Sequence, residues 1–279
     1  MKLIYHIIQL SRPLNILIAI FSVFIMSILS NEINWINAGL ASIVLSLYMS
    51  GANILNDYID VEADRINKPN RLLVSHPMKS RTILLIIIFM FSMGSFIASY
   101  LPLPAMQIAL FFALPSILLY EFILKRIPLI GNIVVSLLIG IVFVFASSSL
   151  GVQGYDAYKI MLLAFFLNLV REIIKDMQDI EGDSKSHLMT LPIYIGLKKT
   201  IMIVRYICLV FFIVSFMPMY TQVYAWQYIP LLVFLIHVPL LYISVRLNDD
   251  ITKEECGNFS KILKIIIING IIIILISAN

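Results

Sequence analysis

Two short acidic stretches carry the side chains in this chain that could do chemistry. Each holds three aspartates with the same spacing, and the two sets are 119 residues apart: Asp57, Asp60 and Asp64, then Asp176, Asp179 and Asp183. Positions i, i+3 and i+7 fall on one face of a helix, so each set would present a row of carboxylates. Like charges this close raise one another's pKa unless cations lie among them. The pattern therefore predicts a divalent-metal site built from two half-sites.

Basic side chains flank both rows: Arg65, Lys68 and Arg71 after the first, and Arg171, Lys175 and Lys185 around the second. Mg²⁺ is usually held by one or two carboxylates together with phosphate oxygens. The 4 histidines and 2 cysteines lack metal-ligand spacing, which leaves oxygen ligands. Mg²⁺ with nearby Lys or Arg would balance the charge of a diphosphate and stabilise the charge that develops when its C–O bond breaks.

The composition is that of an integral membrane protein. Of the 279 residues, 61% are apolar and 13% charged, and the mean hydropathy is +0.97. Soluble domains are only about 45–50% apolar. Nine apolar runs have the length of about 17–25 residues that crosses a bilayer: 14–30, 36–55, 82–100, 105–124, 129–150, 158–174, 201–220, 228–245 and 262–277. We therefore predict an all-α polytopic membrane protein with nine transmembrane helices in a single domain, residues 1–279, and see no signal peptide.

The basic residues set the expected orientation, because Lys and Arg concentrate in cytoplasmic loops. With the N-terminus in the cytoplasm, 19 of the 20 basic residues fall on that side and only Lys159 falls outside. Both acidic rows then lie at the cytoplasmic face, after the second and sixth helices. These two helices run in the same direction, which predicts a parallel internal repeat with the site at its interface.

A bilayer location also suggests the rest of the substrate. A long apolar chain can lie between helices while its diphosphate meets the metals at the cytoplasmic rim, so a polyprenyl diphosphate fits. The net charge of +4 suits an anionic leaflet and gives no reason to expect nucleic acid. Two other readings stay open: ordinary solvated loop residues, and an ion-coupled transporter whose carboxylates mark an ion path. Against the transporter, the acids lie at the rim and not at mid-bilayer.

The motifs resemble those of a known family, the UbiA-type membrane prenyltransferases. NDYIDVEAD and KDMQDIEGD match its two acidic motifs, and the likeness extends to RPLN at Arg12, Tyr120 with Lys125, Gly131-Asn132 and TLP at Thr190. The run REIIKDMQDIEGD looks most like the ether-lipid branch, which makes digeranylgeranylglyceryl phosphate. The sequence departs from the family after Arg71, where Leu72 and His76-Pro77 replace the residues of the usual RPLxSG.

The resemblance implies roles for individual residues. Two Mg²⁺ ions would be bound by Asn56, Asp60, Asp64, Asp179 and Asp183, with Asp57 and Asp176 nearby. Lys68 or Arg71, with Tyr120 and Lys125, would hold the diphosphate, so that Lys125 and the four metal-binding aspartates form the catalytic set. Arg171, Lys175, Arg12 and Asn15 are the other candidate substrate-binding residues, although Arg12 fits an interfacial anchor equally well.

The resemblance also implies the reaction. Metal and Lys125 would draw off the diphosphate, leaving an allylic cation that aromatic faces could shelter. A lipophilic acceptor would then attack the cationic carbon. Geranylgeranylglyceryl phosphate is the first choice of acceptor, and an aromatic quinone precursor is the second. We expect the enzyme in the cell membrane, with its active site facing the cytoplasm.

Overall fold

The structure is a computed structural model that describes residues 2–29, 34–151, 155–186, 188–221 and 225–277. Within these residues every regular element is a helix, so the predicted all-α class is confirmed. The helices are α1 Lys2–Leu10, α2 Pro13–Leu29, α3 Trp35–Ile59, α4 Val61–Asn67, α5 Leu72–Ser75, α6 Ser80–Ala98, α7 Leu103–Phe122, α8 Ile130–Ser149, α9 Tyr155–Lys185, α10 Leu191–Ile195, α11 Leu197–Val214, α12 Tyr228–Arg246 and α13 Lys253–Ser277.

Seven of the described helices are long and apolar enough to cross a membrane: α3, α6, α7, α8, α11 (extended by a 3₁₀ turn to Met219), α12 and α13. Each of the nine predicted apolar runs overlaps one helix, but α2 has only 17 residues and α9 ends in the charged second row. The nine-span count therefore stays a prediction. The two predicted runs 82–100 and 105–124 correspond to two separate helices, since α6 ends at Ala98 and α7 begins at Leu103.

The outer faces of several helices are apolar. Large apolar side chains are largely exposed along two of them: Leu85, Ile88 and Phe89 on α6, and Leu209, Phe212 and Ile213 on α11. Contiguous apolar surface of this extent is unfavourable in water and favourable against lipid chains. Together with the helix lengths, it identifies an integral membrane protein.

The chain forms two compact units. The first comprises Met1–Leu124, Val142–Gly154 and Lys185–His187, and it contains the first aspartate row. Its α3 and α6 pack closely through small residues: Gly51 lies against Phe91, and Gly94 lies against Tyr48. The Tyr48 hydroxyl also hydrogen bonds with the Ser95 hydroxyl at 2.8 Å. This packing fixes α3, whose last turn carries Asn56 and Asp57.

The second unit comprises Lys125–Ile141, Tyr155–Ser184 and Leu188–Asn279, and it contains the second aspartate row. Its core includes side chains from α9, α11 and α13: Val170, Ile173, Ile174, Val204, Phe211, Leu263 and Ile266. These residues are buried almost completely. They hold one face of α9 in the core immediately before the aspartates begin.

The close packing at Gly94 is testable. A Cβ there would lie 2.7 Å from two ring atoms of Tyr48, which is buried and hydrogen bonded. We expect Gly94→Ala to lower the stability of the detergent-solubilised protein by about 1–3 kcal/mol because of overpacking. The control is Gly39→Ala on α3, where nothing lies within 4 Å and only helix propensity changes. A lower thermal midpoint for Gly39→Ala than for Gly94→Ala would contradict this packing.

Candidate functional site

The first aspartate row crosses the junction of two helices. Asp57 lies in the last turn of α3, Asp60 stands between α3 and α4, and Asp64 lies in α4. The backbone bonds continue across the junction, because the Asp60 amide donates to the Asn56 carbonyl at 2.9 Å and the Asp64 amide to the Asp60 carbonyl at 2.8 Å. Asp60 itself departs from helical geometry, with φ −89° and ψ 11°, so the first row spans an interrupted helix where the spacing suggested a continuous one.

Two arginines bind the carboxylates of this row. Arg12 Nη2 donates to Asp57 Oδ1 at 2.5 Å, and Arg71 Nη1 lies 3.0 Å from the same oxygen. Arg71 also binds Asp64 Oδ2. Asp57 and Asp64 are 5% and 4% exposed. Ion pairs between groups this buried are strongly coupled, so Arg12, Asp57, Arg71 and Asp64 form one charge network.

Arg12 reaches this network from a constrained position. It joins α1 to α2 with a φ of 55°, a value uncommon for residues other than glycine. The preceding carbonyl, that of Ser11, accepts a hydrogen bond from Asn53 Nδ2 at 3.0 Å. The junction is therefore attached to α3 by a backbone contact and by an ion pair. Arg12 is not a simple interfacial anchor in this structure, because its guanidinium binds an aspartate.

Burial raises the pKa of Asp64, and the neighbouring Asp57 raises it further. The charge and hydrogen bond of Arg71, with the charge of Lys68, act in the opposite direction. A carboxylate removed from water therefore stays ionised only when cations lie close to it. The row needs positive charge close by, and in this structure arginines provide it.

Asn56 connects the row to a carboxylate that sequence reasoning did not assign. Its Nδ2 donates to Asp60 Oδ2 at 2.8 Å and to Glu121 Oε2 at 3.3 Å. Its Oδ1 faces Arg12 Nη2 at 3.4 Å. Glu121 lies on α7 and is 3% exposed. The one feature of the sequence that could have indicated Glu121 is that it is a single acidic residue in the otherwise apolar run 105–124.

The other predicted residues of the first unit lie near the row in sequence. Lys68 follows α4, and its amide donates to the Asp64 carbonyl at 2.8 Å while its own carbonyl accepts from the Arg71 amide at 2.9 Å. Tyr120 is partly buried beside Glu121 on α7. Asn15 is partly buried in the first turn of α2, where its amide donates to the Arg12 carbonyl at 2.9 Å.

The second row lies on one continuous helix, α9, as its spacing predicted. Asp179 and Asp183 are 9% and 8% exposed. Asp176 Oδ2 accepts a hydrogen bond of 2.8 Å from Asn132 Nδ2 on α8. The Asn132 carbonyl in turn accepts from the hydroxyl of the fully buried Ser136. The Gly131-Asn132 pair thus contributes the side chain that holds Asp176.

Burial raises the pKa of Asp176 to about 8. The hydrogen bond from Asn132 lowers it, the carboxylates of Glu172 and Asp183 raise it, and Lys175 lowers it again. Burial and like charge together therefore disfavour the ionised form of Asp176 near neutral pH. A cation placed among these carboxylates would reverse that preference.

Glu172 binds two of the predicted cations of the second unit. Arg171 Nη1 donates to Glu172 Oε1 and Lys175 Nζ to Glu172 Oε2, each at 2.7 Å. Glu172 is 9% exposed. It lies in the run REIIKDMQDIEGD, but the sequence predicted no function for it. Lys125 lies apart from this group in sequence, in the 3₁₀ turn Leu124–Arg126, and is partly buried.

The donor atoms of both rows suit Mg²⁺. They are carboxylate and amide oxygens, which are hard ligands. Within the described residues, no three acidic, histidine or cysteine side chains converge tightly enough to form a metal cage by themselves. Mg²⁺ tolerates this, because it keeps waters and takes phosphate oxygens as ligands.

Comparison with known proteins places the chain among related sequences. A sequence model of the UbiA prenyltransferase family matches residues 16–266. The digeranylgeranylglyceryl phosphate synthase of Thermococcus gammatolerans is 36% identical over 216 residues, which cover 77% of this chain and 78% of the relative. The synthase of the same name from Methanococcus aeolicus is 32% identical over 273 residues, covering 95% and 94%.

Solved structures share the fold. A structure described as digeranylgeranylglyceryl phosphate synthase in membranes matches with a TM-score of 0.79 and 26% identity, covering 99% of both chains. A UbiA homologue from Archaeoglobus fulgidus, solved with DMAPP and Mg²⁺, matches with a TM-score of 0.69 and 18% identity. It covers 96% of this chain and 98% of that chain.

The charge network of the first row can be tested without substrate. Replacing Arg71 by Gln leaves Asp57 and Asp64 with less positive charge. Allowing for the partial exposure of Arg71, we expect a loss of about 2 kcal/mol, read as a lower thermal midpoint. Millimolar MgCl₂ should restore part of that loss, because Mg²⁺ replaces the missing charge.

The matched control is Arg65→Gln on α4. Arg65 pairs with Glu62 at 3.2 Å, but both side chains are more than half exposed. Such surface pairs contribute at most about 1 kcal/mol. Equal shifts in the thermal midpoint for the two variants would show that the buried network does not stabilise the fold.

Proposed function

Because the chain belongs to the UbiA prenyltransferase family, and is a membrane prenyltransferase, we propose that it transfers a geranylgeranyl group from geranylgeranyl diphosphate to geranylgeranylglyceryl phosphate. The observation that carries this proposal is the pair of acidic motifs, each with an amide and cations around its aspartates. Relatives more than 30% identical are named digeranylgeranylglyceryl phosphate synthase, which supports this choice of acceptor. The second choice of acceptor remains an aromatic quinone precursor.

In this proposal the two rows serve one diphosphate, and residues 1–279 act as one catalytic domain with a parallel pseudo-repeat. Asn56, Asp60 and Asp64 together with Asp179 and Asp183 would hold two Mg²⁺ ions. When bound, Mg²⁺ withdraws charge from the bridging oxygen of the leaving diphosphate. The contacts of Asp57 with Arg12 and Arg71, and of Asp176 with Asn132, favour supporting roles for these two aspartates.

The basic side chains would stabilise the leaving group. Arg71, which binds Asp57 and Asp64, would also donate to a phosphate oxygen, and Lys68 would add positive charge nearby. Lys125 and Tyr120 are further donors to the diphosphate. Arg171 and Lys175, aligned by Glu172, are candidates for the phosphate of either substrate. Each of these contacts strengthens as negative charge develops on the diphosphate.

The acceptor completes the reaction. Loss of diphosphate leaves an allylic cation at the first carbon of the prenyl chain. The glycerol hydroxyl of the acceptor attacks that carbon, forming the ether C–O bond, and gives up its proton to a base. An aspartate that is not fully engaged by metal would be that base.

We also propose the orientation and location. The N-terminus and both rows face the cytoplasm, nine helices span the bilayer, and the protein resides in the cell membrane. The distribution of Lys and Arg supports this arrangement. Single cysteines at Ser75 and Ser184 should react with an impermeant thiol reagent from the same, cytoplasmic side. Labelling from opposite sides would contradict a shared site.

The proposed reaction is tested with purified protein in nanodiscs and labelled geranylgeranyl diphosphate. With geranylgeranylglyceryl phosphate we expect a diether product and one diphosphate released per transfer. Activity should disappear in EDTA and return with Mg²⁺, because the carboxylates repel diphosphate without metal. Transfer only to an aromatic acceptor would favour the quinone alternative. Absence of diphosphate release with every donor and acceptor would favour a transporter.

The joint action of the two rows is a separate prediction. Asp60→Asn and Asp183→Asn each remove one charged oxygen ligand, so each should lower kcat by orders of magnitude. Residues that act as one unit are not additive, so the double variant should be little worse than either single variant. The measurement is the rate of single-turnover diphosphate release in the wild type, the two single variants and the double variant. If the fold-loss in rate of the double variant equals the product of the two single losses, the rows act at separate sites.

A further inference from the structure

Glu121 is a carboxylate in an unusual place. It lies near the end of α7, whose 20 residues otherwise have the apolar character of a membrane span. Its exposed fraction is 3%. Burying an ionisable group in such a helix is unfavourable unless the group is hydrogen bonded, so an acid there usually has a function and a partner. One partner is Asn56 Nδ2, at 3.3 Å.

The surroundings of Asn56 determine which way its amide points. The two hydrogens of Nδ2 face carboxylate oxygens of Asp60 and Glu121, and Oδ1 faces the Arg12 guanidinium. A flipped amide would place its oxygen against two carboxylates and its hydrogens against a guanidinium. Three favourable contacts would become repulsive, so the observed orientation is strongly preferred.

We propose that Glu121 is a positioning residue for Asn56, one that holds the amide oxygen available as a ligand for a divalent cation. The inference rests on the proposed function, in which Asn56 contributes to metal binding. Only the oxygen of an amide can ligate Mg²⁺, because its nitrogen has no available lone pair. An acceptor that holds the nitrogen therefore selects the oxygen for the metal.

Glu121 matters most when the metal is bound. Asp60 also accepts from Asn56, but Asp60 is itself a proposed ligand, and its carboxylate must turn toward the cation. That movement weakens its contact with Nδ2. Glu121, on a different helix and outside the acidic motif, can keep its contact throughout. Outer groups that orient ligands in this way typically change metal affinity by about 10–100-fold when removed.

The test measures Mn²⁺ binding by electron paramagnetic resonance, with the full-length protein in nanodiscs and no turnover. Glu121→Leu removes the acceptor and should weaken Mn²⁺ binding about tenfold. Glu121→Gln keeps an acceptor oxygen and should bind Mn²⁺ close to the wild-type affinity. The charge-matched control is Glu62→Leu on α4, whose carboxylate is exposed and should leave binding unchanged.

A second background separates positioning from folding. In the Asn56→Asp background both terminal atoms at position 56 are oxygens, so no orientation has to be selected. There Glu121→Leu should not weaken Mn²⁺ binding and should strengthen it, because a repulsion between carboxylates is removed. A general structural role for Glu121 would weaken binding in both backgrounds.

The outcomes distinguish this inference from the proposed function. Wild-type protein that binds no Mn²⁺, with or without geranylgeranyl diphosphate, would overturn the metal site and this inference together. Wild-type binding that Glu121→Leu leaves unchanged would overturn the inference alone. Equal losses for Glu121→Leu and Glu121→Gln would mean that charge and not amide orientation is what Glu121 supplies, which also overturns it.

Discussion

The need for positive charge beside buried carboxylates governs the structure around both acidic motifs. A carboxylate removed from water is costly unless a cation or several donors compensate it. The first row meets this requirement with Arg12 and Arg71, which share Asp57. Arg71 also binds Asp64, so one guanidinium compensates two buried aspartates of the row.

The two rows satisfy this requirement in different ways, although their aspartates have the same spacing. The first row is interrupted at Asp60 and is bound by arginines from two separate segments. The second is a straight extension of α9, and there a neutral amide, Asn132, holds Asp176. The nearby cations Arg171 and Lys175 bind Glu172. The high pKa of Asp176 reflects that difference, since burial is opposed there by fewer positive charges.

Apolar packing provides the rigidity that such charge networks need. Close contacts at Gly51 and Gly94 hold α3 against α6, and a core of branched aliphatic side chains fixes α9. Lipid-facing surfaces do not distinguish helices from one another, because lipid chains are as apolar as leucine. Small residues and a few buried polar contacts must therefore specify which helices meet. Glu121 fits this pattern, since it joins α7 to α3 through Asn56.

The sequence by itself determined the all-helical class and the membrane setting, which follow from composition and run length. The resemblance of its motifs indicated the family, and the spacing of its aspartates predicted a divalent-metal site. All of these are local features of the chain. Tertiary structure alone decided the partners that come from distant parts of the chain. The pairing of Arg12 with Asp57 joins residues 45 apart, and Asn56 meets Glu121 across 65 residues. No local pattern encodes such contacts, because they depend on how the helices pack. For the same reason Glu121 and Asn132 received roles only when their neighbours were known.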